Sequence, residues 1–92
     1  MIRAVMLVRS GSNVRKAVKL AEDVKRLGYV SDAYAVFGRF DVVVFLQERD
    51  VAELFRSISE ITKVTGIMSS ESLVEVPENQ QSPDYGKSPF SS

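Results

Sequence analysis

Apolar positions along the chain switch twice from the two-residue period of a β-strand to the 3.6-residue period of an amphipathic helix. Turn and capping residues stand at each switch. SGSN at 10–13 precedes the first helix, and Asp50, with Glu53 three residues later, opens the second in a capping-box pattern. The pattern predicts six elements: a strand over 2–9, a helix from Ser12 or Asn13 to Gly28, strands over 29–37 and 41–47, a helix from Asp50 to Thr65-Gly66, and a strand over 67–76.

The order β-α-β-β-α-β is that of the ferredoxin-like, split-βαβ fold. The predicted fold class is therefore α+β, with a four-stranded antiparallel sheet. Both helices are expected on one face of the sheet, because each crossover connection is right-handed. We further expect the fourth strand to pair with the second.

Composition changes after Val76. All three prolines of the chain lie beyond this residue, among Ser, Gln and Asn. Because this stretch has few apolar groups to offset its ordering entropy, we predict a folded domain over 1–76 and a flexible Pro/Ser-rich tail over 77–92. Tyr85 and Phe90 are the candidate anchors of the tail on a neighbouring subunit.

The third strand contains VVVFL at 42–46, which is apolar without alternation. Such a run is usually buried on both faces of its sheet, yet two helices cover only one face. We therefore predict that the other face packs on a second copy, which gives a sheet-to-sheet dimer around a two-fold axis. In the alternative, Val42, Val44 and Leu46 lie on the exposed surface of a monomer.

Composition narrows the function classes. The 92 residues include no cysteine and no histidine, which removes thiolate metal sites and the commonest general base near pH 7. We expect no metal, no cofactor and no enzymatic activity. The formal net charge of zero disfavours direct nucleic-acid binding. The apolar start, MIRAVMLV, is too short to span a membrane, so a cytoplasmic protein is expected.

The sequence GRFD at 38–41 places a carboxylate at the mouth of the apolar third strand. A carboxylate in such partly dry surroundings needs partners. Arg39 or the loop amides are the internal candidates, as in an Asx-type turn. The external candidate is an ammonium group of a ligand, whose carboxylate would bind free N–H groups beside Gly38. Both interpretations of Asp41 stay open at this point.

Two serines and one acid form a second group of candidates. Ser70 and Ser72 are two residues apart, so their hydroxyls share one face of the fourth strand. With that strand placed beside the second strand, they need not lie near Asp41 of the same subunit. Glu60, late in the second helix, adds a candidate carboxylate; the alternative for Glu60 is an ordinary solvated helix face.

Three stretches, GRFD running into the third strand, ERDVAELFRSISEI and GIMSSESLVEV, resemble the C-terminal sensing domain (RAM domain) of Lrp/AsnC regulators over about residues 2–76. The family pattern has Gly-x-aromatic-Asp before strand 3, which Gly38, Phe40 and Asp41 match. It also has Gly-Val-x-x-Thr-x-Thr in strand 4. Gly66 and Ile67 match its start conservatively, and the two serines take the threonine positions.

The resemblance implies dimerisation through the sheets and further assembly into tetramers, octamers or rings. It also implies that an amino acid binds between dimers. The ligand-binding residues carried over, with Arg39 added from the same loop, are Gly38, Arg39, Phe40, Asp41, Glu60, Ser70 and Ser72. Arg56 stands where relatives with charged ligands often have an acidic or polar residue, which favours a neutral or apolar ligand.

Full regulators of this family carry an N-terminal helix-turn-helix domain, whereas the first predicted strand here begins at Ile2. The expectation is a stand-alone, non-enzymatic domain for amino-acid binding and oligomerisation in transcriptional regulation, with a full-length Lrp/AsnC regulator as a candidate partner. Two alternatives remain: a small enzyme of the dimeric α+β-barrel type, and an assembly module without a ligand.

Overall fold

The computed structural model describes residues 1–11 and 13–76, so the predicted tail with Tyr85 and Phe90 lies outside the described residues. Six elements follow in the predicted order. They are β1 (Ile2–Arg9), α1 (Val14–Lys25), β2 (Val30–Ala35), β3 (Val42–Glu48), α2 (Val51–Thr62) and β4 (Ser69–Val74). The second and fourth strands, at six residues each, are shorter than predicted.

The four strands form one antiparallel sheet in the order β2-β3-β1-β4, which confirms the ferredoxin-like fold class. The expected pairing of the fourth strand with the second is wrong, since β4 pairs with β1. Each crossover connection skips one strand position: β3 lies between β1 and β2, and β1 lies between β3 and β4. As a result, β2 and β4 are the two edges of the sheet.

The register between β1 and β3 shows which side of each strand faces the helices. Val42 is opposite Val8, and Val44 is opposite Met6. Directly opposed residues of antiparallel strands share a face. All four are fully buried and join helix residues in one core, as does Leu46. The alternative that placed Val42, Val44 and Leu46 on an exposed surface is therefore wrong, because a run without alternation does not reveal its phase.

The opposite side of the sheet is covered by nothing in the described part of the chain. Its apolar residues, which we call the open sheet face, are Val5, Leu7, Val43, Phe45 and Leu73. The first four are half-buried and Leu73 is exposed. Phe45 also contacts the ring of Tyr34 on β2, with the ring centroids 5.7 Å apart.

Each helix begins at a capping residue. The Asn13 side chain accepts a hydrogen bond from the backbone N–H of Lys16 at 3.0 Å, and the Asp50 carboxylate accepts one from Glu53 N–H at 2.8 Å. These bonds satisfy N–H groups that have no partner inside the helix. Neither described helix is long and apolar enough to cross a membrane.

Candidate ligand site at the β2–β3 loop

The loop between β2 and β3, residues 36–41, is fixed at its ends by backbone hydrogen bonds. Val36 N–H donates to the Asp41 carbonyl, and Asp41 N–H donates to the Val8 carbonyl, both at 2.9 Å. Gly38 has φ +142°, which a residue with a side chain rarely adopts. Within residues 1–11 and 13–76, the N–H groups of 37–40 find no acceptor. The loop therefore offers four free backbone donors next to a carboxylate.

The Asp41 carboxylate is held by Ser10, at the end of β1. Ser10 N–H donates to Oδ1 at 2.8 Å, and the Ser10 hydroxyl donates to Oδ2 at 2.5 Å. Ser10 is buried and Asp41 is half-buried. The internal partner of Asp41 is thus Ser10 rather than Arg39 or a loop amide. Each oxygen of a carboxylate accepts about two hydrogen bonds, so Asp41 retains acceptor capacity.

Arg39 and Phe40 lie against Arg9 of β1. The Arg9 guanidinium donates through Nε to the Arg39 carbonyl at 3.1 Å. The guanidinium carbons of Arg9 and Arg39 lie 5.8 and 6.0 Å from the centre of the Phe40 ring, within the range of a cation–π contact. These contacts hold the loop against β1 without involving the Asp41 carboxylate.

A cavity of ≈ 450 Å³ separates the loop from the first two turns of α1. Gly38 and Asp41 both line it, together with Asn13, Val14, Ala17, Val18, Ala35, Val36 and Phe37. The helix side of this cavity was missed by sequence reasoning. The sequence carries no signal for it, because Val14 and Val18 look like other members of the apolar stripe of α1, and only the structure shows that they are exposed.

Ser70 and Ser72 lie on the helix-facing side of β4, where they are opposite Val8 and Met6. Both are half-buried. Since Val8 also accepts the Asp41 N–H, Ser70 lies at the same end of the sheet as Asp41, with β1 between them. Pairing with β1 thus places Ser70 closer to Asp41 than the expected pairing with β2 required. Even so, neither serine lines the cavity beside Asp41.

Glu60 belongs to a different place in the protomer. Its carboxylate accepts a hydrogen bond of 3.0 Å from the Tyr29 hydroxyl. The Tyr29 carbonyl in turn accepts from Gln47 N–H, about 20 Å along β3 from Asp41. Burial, followed by the bond to Glu60, raises the pKa of Tyr29 to about 12. Glu60 and Asp41 therefore do not converge within one chain.

Acidic side chains within residues 1–76, leaving out position 12, form no group of three or more that could hold a metal ion. Of the described residues that line the cavity at the β2–β3 loop, Asp41 alone carries a charged side chain. The arrangement offers one fixed carboxylate, the free N–H groups of the adjoining loop and a lining of apolar side chains. This set suits a small molecule with an ammonium group and an apolar body.

No protein-family model and no curated protein matches the chain. Solved structures do match it. The hypothetical protein PHS023 from Pyrococcus horikoshii is similar with a TM-score of 0.75 at 23% identity, over 87% of this chain and 95% of that protein. TTHA0845 from Thermus thermophilus is similar with a TM-score of 0.72 at 28% identity, over 84% and 95% of the two chains.

AsnC from E. coli has the same fold, with a TM-score of 0.70 at 18% identity over 84% of this chain. The match covers 52% of AsnC, so the chain spans about half the length of that protein. Further AsnC-family transcriptional regulators are among the structural neighbours. The resemblance to Lrp/AsnC sensing domains is thus confirmed at the level of the fold.

Proposed function

We propose that a domain with this fold and this loop is a non-enzymatic, amino-acid-binding and oligomerisation domain of the Lrp/AsnC type that acts in transcriptional regulation. The observation that carries the proposal is the Asp41 carboxylate at the edge of a cavity, in a loop whose N–H groups at 37–40 have no acceptor within the described part of the chain and whose residues 37 and 38 line the same cavity. An amino acid carries the complementary pair of groups, an ammonium and a carboxylate. The fold shared with AsnC supports the regulatory part.

Asp41 acts in this proposal as the ammonium receptor, and Ser10 orients it. Two hydrogen bonds fix both carboxylate oxygens before a ligand arrives, which lowers the ordering cost of binding. The free N–H groups around Gly38 bind the ligand carboxylate, while Arg39 and Phe40 keep the loop in place. Glu60 contributes from a neighbouring protomer, since it is remote from Asp41 within one chain. Ser70 and Ser72, which do not line the cavity of their own chain, contribute across a contact between protomers.

Regulation follows from the oligomeric state. The open sheet face pairs two protomers, and dimers associate further through their loop ends. A ligand that binds one assembly better than another shifts the equilibrium toward it by mass action. No catalytic step is needed for such a response.

Calorimetric titration with the standard amino acids tests the ligand part. We expect the wild type to bind at least one of them, and Asp41→Ala to weaken binding by about 10- to 100-fold through loss of a charge-assisted hydrogen bond. Ser10→Ala removes one of the two bonds that orient Asp41 and keeps the carboxylate, so it should lose less affinity than Asp41→Ala. Circular dichroism checks that each variant is folded.

Two results would contradict the assignment of the site. One is the absence of binding by any amino acid at millimolar concentration. The other is unchanged affinity in a folded Asp41→Ala variant. In either case the contacts of Asp41 with Ser10 are purely structural.

The open sheet face is tested by a pair of phenylalanine variants. Phe45→Glu places a charge in the proposed dimer interface, whereas Phe55→Glu places one on the exposed side of α2. Sedimentation velocity at micromolar concentration should show a dimer or larger species for the wild type and for Phe55→Glu. Phe45→Glu should sediment as a monomer. A monomeric wild type would refute the sheet-to-sheet dimer.

An assembly module without a ligand is the second candidate function, and one observation favours it. Asp41 already has two hydrogen bonds within its own chain, so its burial requires no ligand. The assembly module and the amino-acid-binding domain predict different results in the sedimentation experiment. An assembly module forms the same oligomers with and without amino acids in the sedimentation experiment.

A further inference from the structure

We infer that the first two turns of α1 form the side-chain pocket of this site, and that Val14 and Val18 select a neutral amino acid with an aliphatic side chain. The inference rests on the proposed function and names the ligand class for the same site. It also adds a helix that neither the sequence motifs nor the fold comparison connects with binding.

The first observation is the size and position of the cavity. Its volume of ≈ 450 Å³ falls within the range of about 300–1,000 Å³ typical of small-molecule sites. It lies between the side chains of α1 and the loop that carries Gly38 and Asp41. A ligand whose ammonium group binds Asp41 therefore directs its remaining atoms toward α1 or out of the cavity.

The second observation is charge. Among the described residues that line the cavity, Asp41 is the one with a charged side chain, and no lysine, arginine or second carboxylate accompanies it. An acidic ligand side chain would add a negative charge near Asp41 with no cation to compensate for it. A basic side chain would lie on Val14 and Val18 without an acidic partner of its own. An aliphatic ligand side chain carries no charge, so it needs neither a cation nor an acidic partner in the cavity.

The third observation is exposed apolar surface at the cavity. Val14 is 56% exposed, Val18 is 42% exposed and Phe37 is 90% exposed. Single exposed apolar residues are ordinary on a protein surface, but these three line one cavity. The sheet-facing stripe of α1 is supplied by other residues, which are Ala17, Leu20, Ala21 and Val24. The two valines are thus free to contact a ligand.

Substitutions at Val18 test the pocket. Val18→Asp should weaken binding of an aliphatic amino acid by about 10-fold or more, which corresponds to the loss of apolar burial of one branched side chain. Val18→Phe fills part of the cavity and should shift the preference from larger to smaller aliphatic side chains. Val51→Asp and Val51→Phe on α2 are the matched controls, because Val51 is 39% exposed and lies outside this cavity.

Binding is measured in two ways. Calorimetry on the whole chain compares leucine, valine, alanine, glutamate and lysine. Phe37→Trp introduces the one tryptophan of the chain at the cavity, so its fluorescence should change on addition of the preferred ligand. The Val51 controls should keep the affinity and the order of preference of the wild type.

The outcomes separate the two proposals. If the wild type binds an amino acid and the Val18 variants keep its affinity and order of preference, the pocket assignment is wrong while the proposed function stands. Preference for glutamate or lysine over leucine also overturns the pocket assignment alone. If the wild type binds none of the amino acids, the proposed function fails and the inference fails with it.

Discussion

At the scale of single residues, the fold raises the pKa of Tyr29 well above its ordinary value. Its hydroxyl donates to Glu60, and Glu48 lies near enough to add a further negative charge. Burial and these two acids all oppose a phenolate, which raises the pKa to about 12. The hydrogen bond from the Tyr29 hydroxyl to Glu60 thus connects α2 with the residue that precedes β2.

This pKa predicts a stability loss at high pH. Because the folded pKa of about 12 lies above the ordinary tyrosine value of 10.0, the contribution of Tyr29 to stability is fully present below pH 10. It decreases as the pH rises toward 12. Ultraviolet titration of the phenolate should show one group ionising late in the wild type and missing in Tyr29→Phe.

Glu60→Gln separates the causes of this shift. Removing the negative charge should lower the pKa of Tyr29 only part of the way, since burial is its largest cause. Ionisation of Tyr29 near pH 10 in the folded wild type would contradict both the burial of its hydroxyl and its bond to Glu60.

Asp41 shows what sequence can and cannot reveal at this scale. Its place after GRF and before an apolar strand indicated a carboxylate that needs partners. The partner is Ser10, which precedes it by 31 residues. Nothing in either local sequence specifies the pair, since it depends on β1 lying beside β3. The chemistry of Asp41 was therefore predictable, and its neighbour was not.

At the scale of elements, the turn between β1 and α1 depends on close contact with the segment before β4. Gly11 has φ +68°, in the left-handed region, and a Cβ atom there would lie 1.9 Å from the Met68 sulfur. Met68 N–H also donates to the Arg9 carbonyl at 2.9 Å. The turn and the start of β4 are thus packed directly on each other.

Gly11→Ala should destabilise the domain by about 1–3 kcal/mol, through backbone strain and the contact with Met68. The Met68 side chain is mostly exposed and flexible, so adding Met68→Ala should recover the part due to contact and leave the backbone part. Urea denaturation followed by circular dichroism measures both.

Gly28→Ala is the control for this substitution. Gly28 does not have a positive φ, and an added Cβ would meet nothing within 4 Å. It should leave stability unchanged or raise it by about 0.4–1 kcal/mol. Equal losses at Gly11 and Gly28 would show that the contact with Met68 is unimportant.

At the scale of the whole molecule, the kind and order of the elements followed from hydrophobic periodicity, because each helix and strand is amphipathic or continuously apolar. The pairing of β4 with β1 did not follow, since nothing in the local sequence of β4 specifies which strand it lies beside. The phase of β3 did not follow either: VVVFL fits both faces equally, and only pairing with β1 assigns Val43 and Phe45 to the open sheet face.

The candidate site divides in the same way. Gly38 and Asp41 were predictable from the sequence. Glycine is the residue type that suits an unusual backbone conformation, and a charged residue directly before an apolar strand is conspicuous. The contribution of α1 was not predictable, because Val14 and Val18 look like any other members of a helix stripe. Only the placement of α1 beside the β2–β3 loop shows that these valines lie outside the stripe that packs on the sheet.

The antiparallel pairing of β1 with β4 also determines how the domain can be joined to other chains. Ala4 lies opposite Val74, and Arg3 is bonded to Glu75, so both ends of the folded unit emerge side by side. The cavity lies about 25 Å away, at the other end of β1. A fluorescent label or fused protein attached next to Met1 or directly after Val76 is therefore expected to lie at the end of the sheet opposite the cavity, and we expect a short linker between these two points to permit circular permutation of 1–76.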